Sequence, residues 1–177
     1  METEKSPFAE HATNVIDIYV KTKNTGNLQQ AEVPELFKIE RACFVTIHNK
    51  DGSLRGCIGT IEPRTENLWL EIISNAVSAC SRDPRFNPVT KDELNKIEVS
   101  VDVLSVPERV DDIKTLDPKK YGIIISDGKH NRGVLLPDID GVDTVKEQIR
   151  IAKRKAGLHK TKNEFLEIYS FTATRYH

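Results

Sequence analysis

Apolar residues recur at helical spacing in three segments of the chain. The first segment begins with Ser6-Pro7, a typical N-cap followed by a proline in the first turn. The apolar repeat after it predicts a helix that ends near residues 24–26. Residues 67–81 are apolar on more than one face, which predicts a mostly buried helix. A Thr144-x-x-Glu147 motif opens the third, which ends before Gly157. The inward positions of the first and third repeats are Phe8, Ala12, Val15, Ile16, Tyr19, Val145, Ile149, Ala152 and Ala156.

Shorter alternating segments predict strands. Two hairpins are expected, one with an Asp51-Gly52 turn and one with an Asp127-Gly128 turn, and residues 97–104 and 165–173 form further strands. Hairpins outnumber β-α-β units. The sequence therefore predicts an α+β fold, a largely antiparallel β-sheet with packed helices, arranged as a larger lobe plus a smaller subdomain. We expect a single domain over residues 1–177, either as one body or as two interleaved lobes.

The register of the first hairpin follows if Asp51-Gly52 is a two-residue turn. His48 then faces Arg55 and Thr46 faces Cys57, and the core residues segregate on one side of the ribbon, as a fixed register requires. The predicted core side holds Cys43, Val45, Ile47, Leu54 and Ile58, and the opposite side holds Phe44, Thr46, His48, Arg55 and Cys57.

Cys57 is the cysteine that this register leaves among polar residues, while Cys43 is expected to be buried and inert. A nearby cation favours the thiolate, which is the nucleophilic form of cysteine, and Arg55 and His48 are the predicted neighbours. The simpler alternative is that Cys57 is a small residue that fills space under a second layer.

Three arginines lie beside sterically tight positions, namely Arg55, Arg85 and Arg132. A guanidinium can hold a carboxylate or phosphate through two parallel hydrogen bonds, and an adjacent glycine allows a ligand to approach the backbone. The alternative is that each arginine pairs with an acid of the chain, for which Asp83, Glu98 and Asp102 are the candidates. Glu98, Ser100 and Asp102 share one strand face, which is either a solvated face or the acidic wall of a cleft.

Composition excludes several classes of function. Lys and Arg number 26 against 27 Asp and Glu, a balance that argues against a general nucleic-acid binder but leaves a local basic patch open. The 3 cysteines have no CxxC spacing, and neither a secretory signal nor a membrane span is visible, so we expect a cytoplasmic protein with free thiols. The 5 histidines show no metal-ligand spacing, and no P-loop or GxGxxG is present, so we predict no metal and name no cofactor.

Five sequence blocks occur in the order LRGCIGTIEP, DPRFNPVTKDEL, IEVSVDVLSVPE, RGVLLPDI and KAGL. Together they resemble the AMME chromosomal region gene 1 protein family, over about Asn14 to Phe171. The resemblance implies an α+β fold with a smaller subdomain, a cytosolic location, and work alongside a Memo-like protein related to extradiol dioxygenases and a radical S-adenosylmethionine protein. It also implies that Pro84, Ser100 and Pro137 belong to the signature.

Residues and resemblance together predict a cleft around LRGCIG. One hypothesis is an enzyme, or enzyme subunit, that acts on a small anionic ligand with Cys57 as nucleophile or contact residue. The other is a non-catalytic binding or adaptor module for a nucleotide, peptide or protein partner. The predicted catalytic residues are Cys57, Asp83 and Glu98, and the predicted ligand-binding residues are Arg55, Gly56, Gly59, Arg85, Phe86, Arg132 and Gly133.

Overall fold

The computed structural model describes residues 6–177 and divides the chain into two compact units. The first unit runs to Val103 and also contains Thr174–His177, and the second is Leu104–Ala173. Helices and antiparallel strand pairs occur in both units, so the fold class is α+β, as predicted.

The first unit packs helices on one sheet. Its helices are α1 (Pro7–Thr22), α2 (Gly26–Gln29) and α3 (Leu68–Ser81), with 3-10 turns at Glu35–Phe37 and Lys91–Glu93. Its strands are β1 (Cys43–Asn49), β2 (Leu54–Gly59), β3 (Ile97–Leu104) and, from the chain's end, β8 (Ala173–Tyr176). The strand order in the sheet is β2-β1-β3-β8.

Helix α1 begins as predicted, because the Ser6 hydroxyl accepts a hydrogen bond from the Ala9 N–H. It ends at Thr22, before the predicted residues 24–26, since Lys23 takes a left-handed conformation and donates its N–H to the Tyr19 carbonyl. The inward residues of α1 and α3 form one core with the inward residues of β1 and β3. The predicted mostly buried helix at 67–81 is confirmed.

The strands of the first hairpin pair in the predicted register around Thr46, but the turn that joins them differs from the predicted one. Thr46 pairs with Cys57, but the predicted pair of His48 with Arg55 is wrong, because His48 pairs with Leu54. The loop has three residues and places Gly52 at φ 84°, and a bulge between Ile47 and His48 then restores the register. Leu54 is 37% exposed, so its predicted place on the core side is wrong.

The second unit carries a second sheet, in the order β4-β7-β5-β6, where the sequence predicted one sheet. Its elements are β4 (Glu108–Arg109), β5 (Gly122–Ser126), β6 (Arg132–Leu135), α4 (Val145–Lys155) and β7 (Glu167–Phe171), with 3-10 turns at Ile113–Thr115 and Asn163–Phe165. The single strand predicted at 165–173 thus belongs to β7, and the chain then returns to the first sheet as β8. Within residues 6–177, every helix is too short or too polar to cross a bilayer.

Candidate functional site

The Asp83 carboxylate is the centre of the candidate site. It lies in the loop that follows α3 and is 4% exposed. Its Oδ2 accepts hydrogen bonds from the Cys57 N–H at 2.9 Å and from Arg85 Nη2 at 2.7 Å. Its Oδ1 accepts from Arg85 Nε at 2.9 Å. The Arg85 hydrogen bonds, helped by the Cys57 N–H, hold the pKa of Asp83 well below its usual range despite the opposing effect of burial.

Arg85 links Asp83 to strand β2 and is also exposed to solvent. Its Nη2 donates to the Cys57 carbonyl at 3.3 Å, so strand β2 is held at both the N–H and the C=O of Cys57. The side chain is still 54% exposed, and its Cζ lies 5.5 Å from the centre of the Phe86 ring. A partly exposed guanidinium beside an aromatic ring is a surface that an anionic group can contact.

Arg55 is committed to the protein itself. Its Nε and Nη2 bind the two Glu93 carboxylate oxygens at 2.7 and 3.1 Å, and its Nη1 donates to the Asn87 carbonyl at 3.0 Å. The guanidinium is 13% exposed, and its Cζ is 6.0 Å from the Phe86 ring centre. Arg55 therefore fixes the loop of residues 83–93 to strand β2, which is the acid-paired alternative rather than the ligand-binding one.

The same loop gains a second constraint at Glu93. Its side chain accepts from the Thr90 N–H at 2.8 Å and from the Thr90 hydroxyl at 3.0 Å, which completes a capping box around a 3-10 turn. Hydrogen bonds from Arg55 lower the Glu93 pKa from 4.5 to about 2, against the effect of burial. Glu93 was not among the acids that the sequence offered as arginine partners, and nothing in the sequence pattern indicates its pairing with Arg55.

Cys57 differs from the other two cysteines in its surroundings. Its side chain is half-buried, and its Sγ lies 3.3 Å from the Thr46 hydroxyl on β1. Cys43 is fully buried, as predicted, and burial raises its pKa to about 12. Burial also raises the pKa of Cys80 to about 11. Cys57 is therefore the cysteine whose thiol can meet a solvent-borne molecule.

The glycines of the motif are explained by packing inside the protein, which corrects the expectation that they leave room for a ligand. A Cβ built on Gly56 would lie 2.4 Å from the Ala79 carbonyl oxygen of α3. A Cβ on Gly59 would clash with the Phe44 ring. In the second unit, a Cβ on Gly133 would clash with the Ala152 carbonyl oxygen of α4. Each glycine allows a close approach, and the approaching group belongs to the chain.

The predicted side chains lie in three places. Arg55, Cys57, Asp83, Arg85 and Phe86 meet in the first unit through the contacts above. Glu98 is exposed on β3 opposite His48, whereas the residue opposite Thr46 is Ser100. Arg132 and Gly133 lie on β6, in the second unit. Among residues 6–177 no group of three or more His, Cys, Asp or Glu side chains is arranged to hold a metal ion.

Comparison with known proteins identifies the family. The AMMECR1 family profile matches residues 9–176. The chain belongs to the AMMECR1 family. A Thermotoga maritima protein is 53% identical over 96% of this chain and 97% of its own length, and a Methanocaldococcus jannaschii protein is 38% identical over 96% and 88%. A crystal structure of an uncharacterized Pyrococcus horikoshii protein superposes with a TM-score of 0.80 and is 28% identical in sequence. The match covers 95% of this chain and 88% of that chain.

Other AMMECR1 relatives differ in length. A Clostridium acetobutylicum protein is 42% identical over 98% of this chain, but the match spans 36% of that protein. The AMMECR1 domain is thus found both as nearly the whole of a protein and as about a third of one.

Proposed function

We propose that the site around Cys57 binds a small anionic ligand, such as a carboxylate or phosphate, through Arg85 and with Cys57 as a contact residue. The observation that carries this proposal is the arrangement at Asp83. A buried carboxylate holds the Cys57 backbone and the Arg85 side chain in one network, and the guanidinium keeps 54% of its side-chain surface exposed. A fixed cation of this kind binds an anion without first losing side-chain freedom.

Phosphate and acetate titrations followed by amide NMR test the proposal. Either anion should shift the Cys57 and Arg85 signals, and Arg85→Gln should weaken binding about tenfold, the effect of losing a charged hydrogen bond. Arg82→Gln is the matched control, since Arg82 is exposed in the same loop region and caps the end of α3. The proposal fails if neither anion shifts these signals, or if the two variants behave alike.

The second candidate is an enzyme in which Cys57 is the nucleophile, favoured by the contrast between its half-buried thiol and the buried Cys43 and Cys80. In this reading Asp83 orients the strand rather than accepting the thiol proton, because both of its oxygens are occupied by Arg85 and the Cys57 N–H. Iodoacetamide labelling of the native protein should then modify Cys57 faster than a free model thiol. Labelling slower than that thiol, or labelling unaffected by Cys57→Ser, excludes the nucleophile.

We also propose that the domain works with another polypeptide, the Memo-like and radical S-adenosylmethionine proteins being the partners that the family resemblance implies. The Clostridium acetobutylicum relative supports joint action, because there this domain belongs to a longer chain. Size-exclusion chromatography with each purified partner should show co-elution, and separate elution in both cases would reject the proposal.

A further inference from the structure

Seven of the 13 Lys and Arg residues of the second unit lie on one helix and the loop after it. Residues 145–165, which begin with α4, contain seven Lys or Arg residues and two acidic residues, Glu147 and Glu164, which pair with Arg150 and Lys162. The near-zero charge of the whole chain conceals this local excess. The positions whose side chains are exposed are Lys146, Arg150, Arg154, Lys155, Lys160 and Lys162.

The apolar face of α4 is already covered. Ile149 and Ala152 are 5% and 0% exposed and belong to the core that β5 and β6 share with the helix. The helix therefore presents its cationic face outward and has no apolar face left to insert into a bilayer. This arrangement favours an electrostatic partner over a membrane.

An exposed aromatic residue ends the turn that is hydrogen-bonded to the cationic helix. Lys153 Nζ donates to the Thr161 carbonyl at 2.5 Å and to Asn163 Oδ1 at 2.9 Å, which ties α4 to the turn Asn163–Phe165. Phe165, at the end of this turn, is 68% exposed, more than any other large apolar side chain among the described residues. A cavity of about 200 Å³ lies between the helix and this turn, lined by Lys146, Ile149, Arg150, Lys153, His159 and Asn163.

We infer that this surface, α4 with the segment to Phe165, binds single-stranded nucleic acid. The cationic side chains contact successive phosphates, the cavity receives one phosphate group, and the Phe165 ring stacks on a base. In a duplex the base faces are stacked inside the helix, and an acidic protein has no bases. An exposed aromatic ring that stacks on a base therefore favours single-stranded nucleic acid. The inference is independent of the anion site around Cys57, because all of its residues lie in the second unit.

Fluorescence anisotropy with a labelled oligouridylate tests the inference on the full chain. Binding should appear at about 50 mM salt and weaken as salt rises. The double variant Arg154→Glu/Lys155→Glu should bind at least about tenfold more weakly and lose about 1.4 from the logarithmic salt slope, that is about 0.7 for each phosphate contact. The control Lys50→Glu/Lys96→Glu changes two exposed lysines of the first unit and the net charge equally, and should leave the affinity within about twofold.

Stacking is tested separately at Phe165. Phe165→Ala should weaken single-strand binding about tenfold, whereas Phe165→Trp should retain it and duplex RNA should be insensitive to either change. The inference is overturned if the oligonucleotide does not bind at low salt, or if the control pair loses as much affinity as the α4 pair. Binding to phosphatidylserine vesicles without binding to the oligonucleotide would also overturn it, and would assign the surface to membranes.

Discussion

At the scale of single residues, two arginine–carboxylate pairs in the candidate site differ in how far the arginine is exposed to solvent. Arg55 is 13% exposed and binds Glu93 and Asn87 with all three of its guanidinium nitrogens. Arg85 is 54% exposed while its partner Asp83 is buried. Arg55 is therefore suited to hold the loop of residues 83–93 in place, and Arg85 is the arginine to which we assign the proposed anion.

Glu93→Gln should destabilise the protein in a pH-dependent way. The folded-state pKa of Glu93, about 2, lies below its ordinary value of 4.5, so the pair with Arg55 stabilises the fold above about pH 4.5. That stabilisation is lost as the pH falls from 4.5 toward 2. Urea unfolding should show the variant about 2 kcal/mol less stable near neutral pH, with the difference vanishing toward pH 2. The control is Glu66→Gln, an exposed position, and a pH-independent difference at Glu93 would contradict the assignment.

These residue contacts were unequally predictable from the sequence. Asp83 and Arg85 are two positions apart, so their pairing was one of the alternatives that the motif itself raised. Glu93 lies 38 positions from Arg55, and only the return of the loop onto β2 brings them together. Side chains joined by a tertiary contact of this kind leave no periodic trace in one sequence.

At the scale of elements, both hairpins place a glycine against the backbone of a following helix. Gly56 pairs with Ile47 in β1 and faces the Ala79 carbonyl of α3. Gly133 pairs with Ile125 in β5 and faces the Ala152 carbonyl of α4. In both hairpins an Arg-Gly pair follows the Asp-Gly turn in the sequence, and its glycine allows the same close packing of a helix on a strand.

Gly56→Ala should be destabilising because its Cβ would lie 2.4 Å from a main-chain oxygen, which cannot move as a flexible side chain can. We expect a loss of about 3 kcal/mol in the free energy of unfolding, at the upper end for an overpacked core. Gly26→Ala is the control, because its Cβ would meet only the Asn24 side chain, at 3.2 Å. Equal unfolding free energies for the two variants would contradict the packing explanation.

Elements were easier to predict than their connections. The periodic segments of α1, α3, α4 and β3 were recognisable because each buries one face against a core. The hairpin turn was mispredicted because Asp-Gly fits both a two-residue turn and the three-residue loop found here. The division of the strands between two sheets depends on pairing between distant segments, which the local pattern does not record.

At the scale of the whole molecule, the chain leaves the first unit after Val103 and returns to it at Thr174. The returning strand β8 carries Arg175, which binds the buried Asp102 through two hydrogen bonds of 2.8 and 3.0 Å. The Tyr176 ring lies 4.8 Å from the Phe8 ring of α1. Strand β8 therefore packs against the same core as helix α1.

Deleting residues 174–177 should weaken the first unit. The buried Asp102 loses its bidentate partner and Phe8 loses a ring contact, so we expect the unfolding free energy to fall by about 2 kcal/mol or more. Hydrogen exchange should become faster in β1 and β3. Arg175→Ala, which keeps the strand but removes the ion pair, separates the two contributions. Unchanged exchange in β1 and β3 after the deletion would show that β8 is dispensable.

The bulge in the first hairpin couples the turn at the hairpin tip to the position of Arg55 on β2. The three-residue loop shifts the pairing by one residue, and the extra residue at Arg55 shifts it back before Thr46 meets Cys57. Converting the tip to a two-residue Asp51-Gly52 turn would pair Lys50 with Ser53 and His48 with Arg55, which removes the bulge at the residue that binds Glu93. The turn type at the exposed tip therefore decides whether Arg55 stands in a bulge, so a redesign of the turn also alters the residue that anchors the loop of residues 83–93.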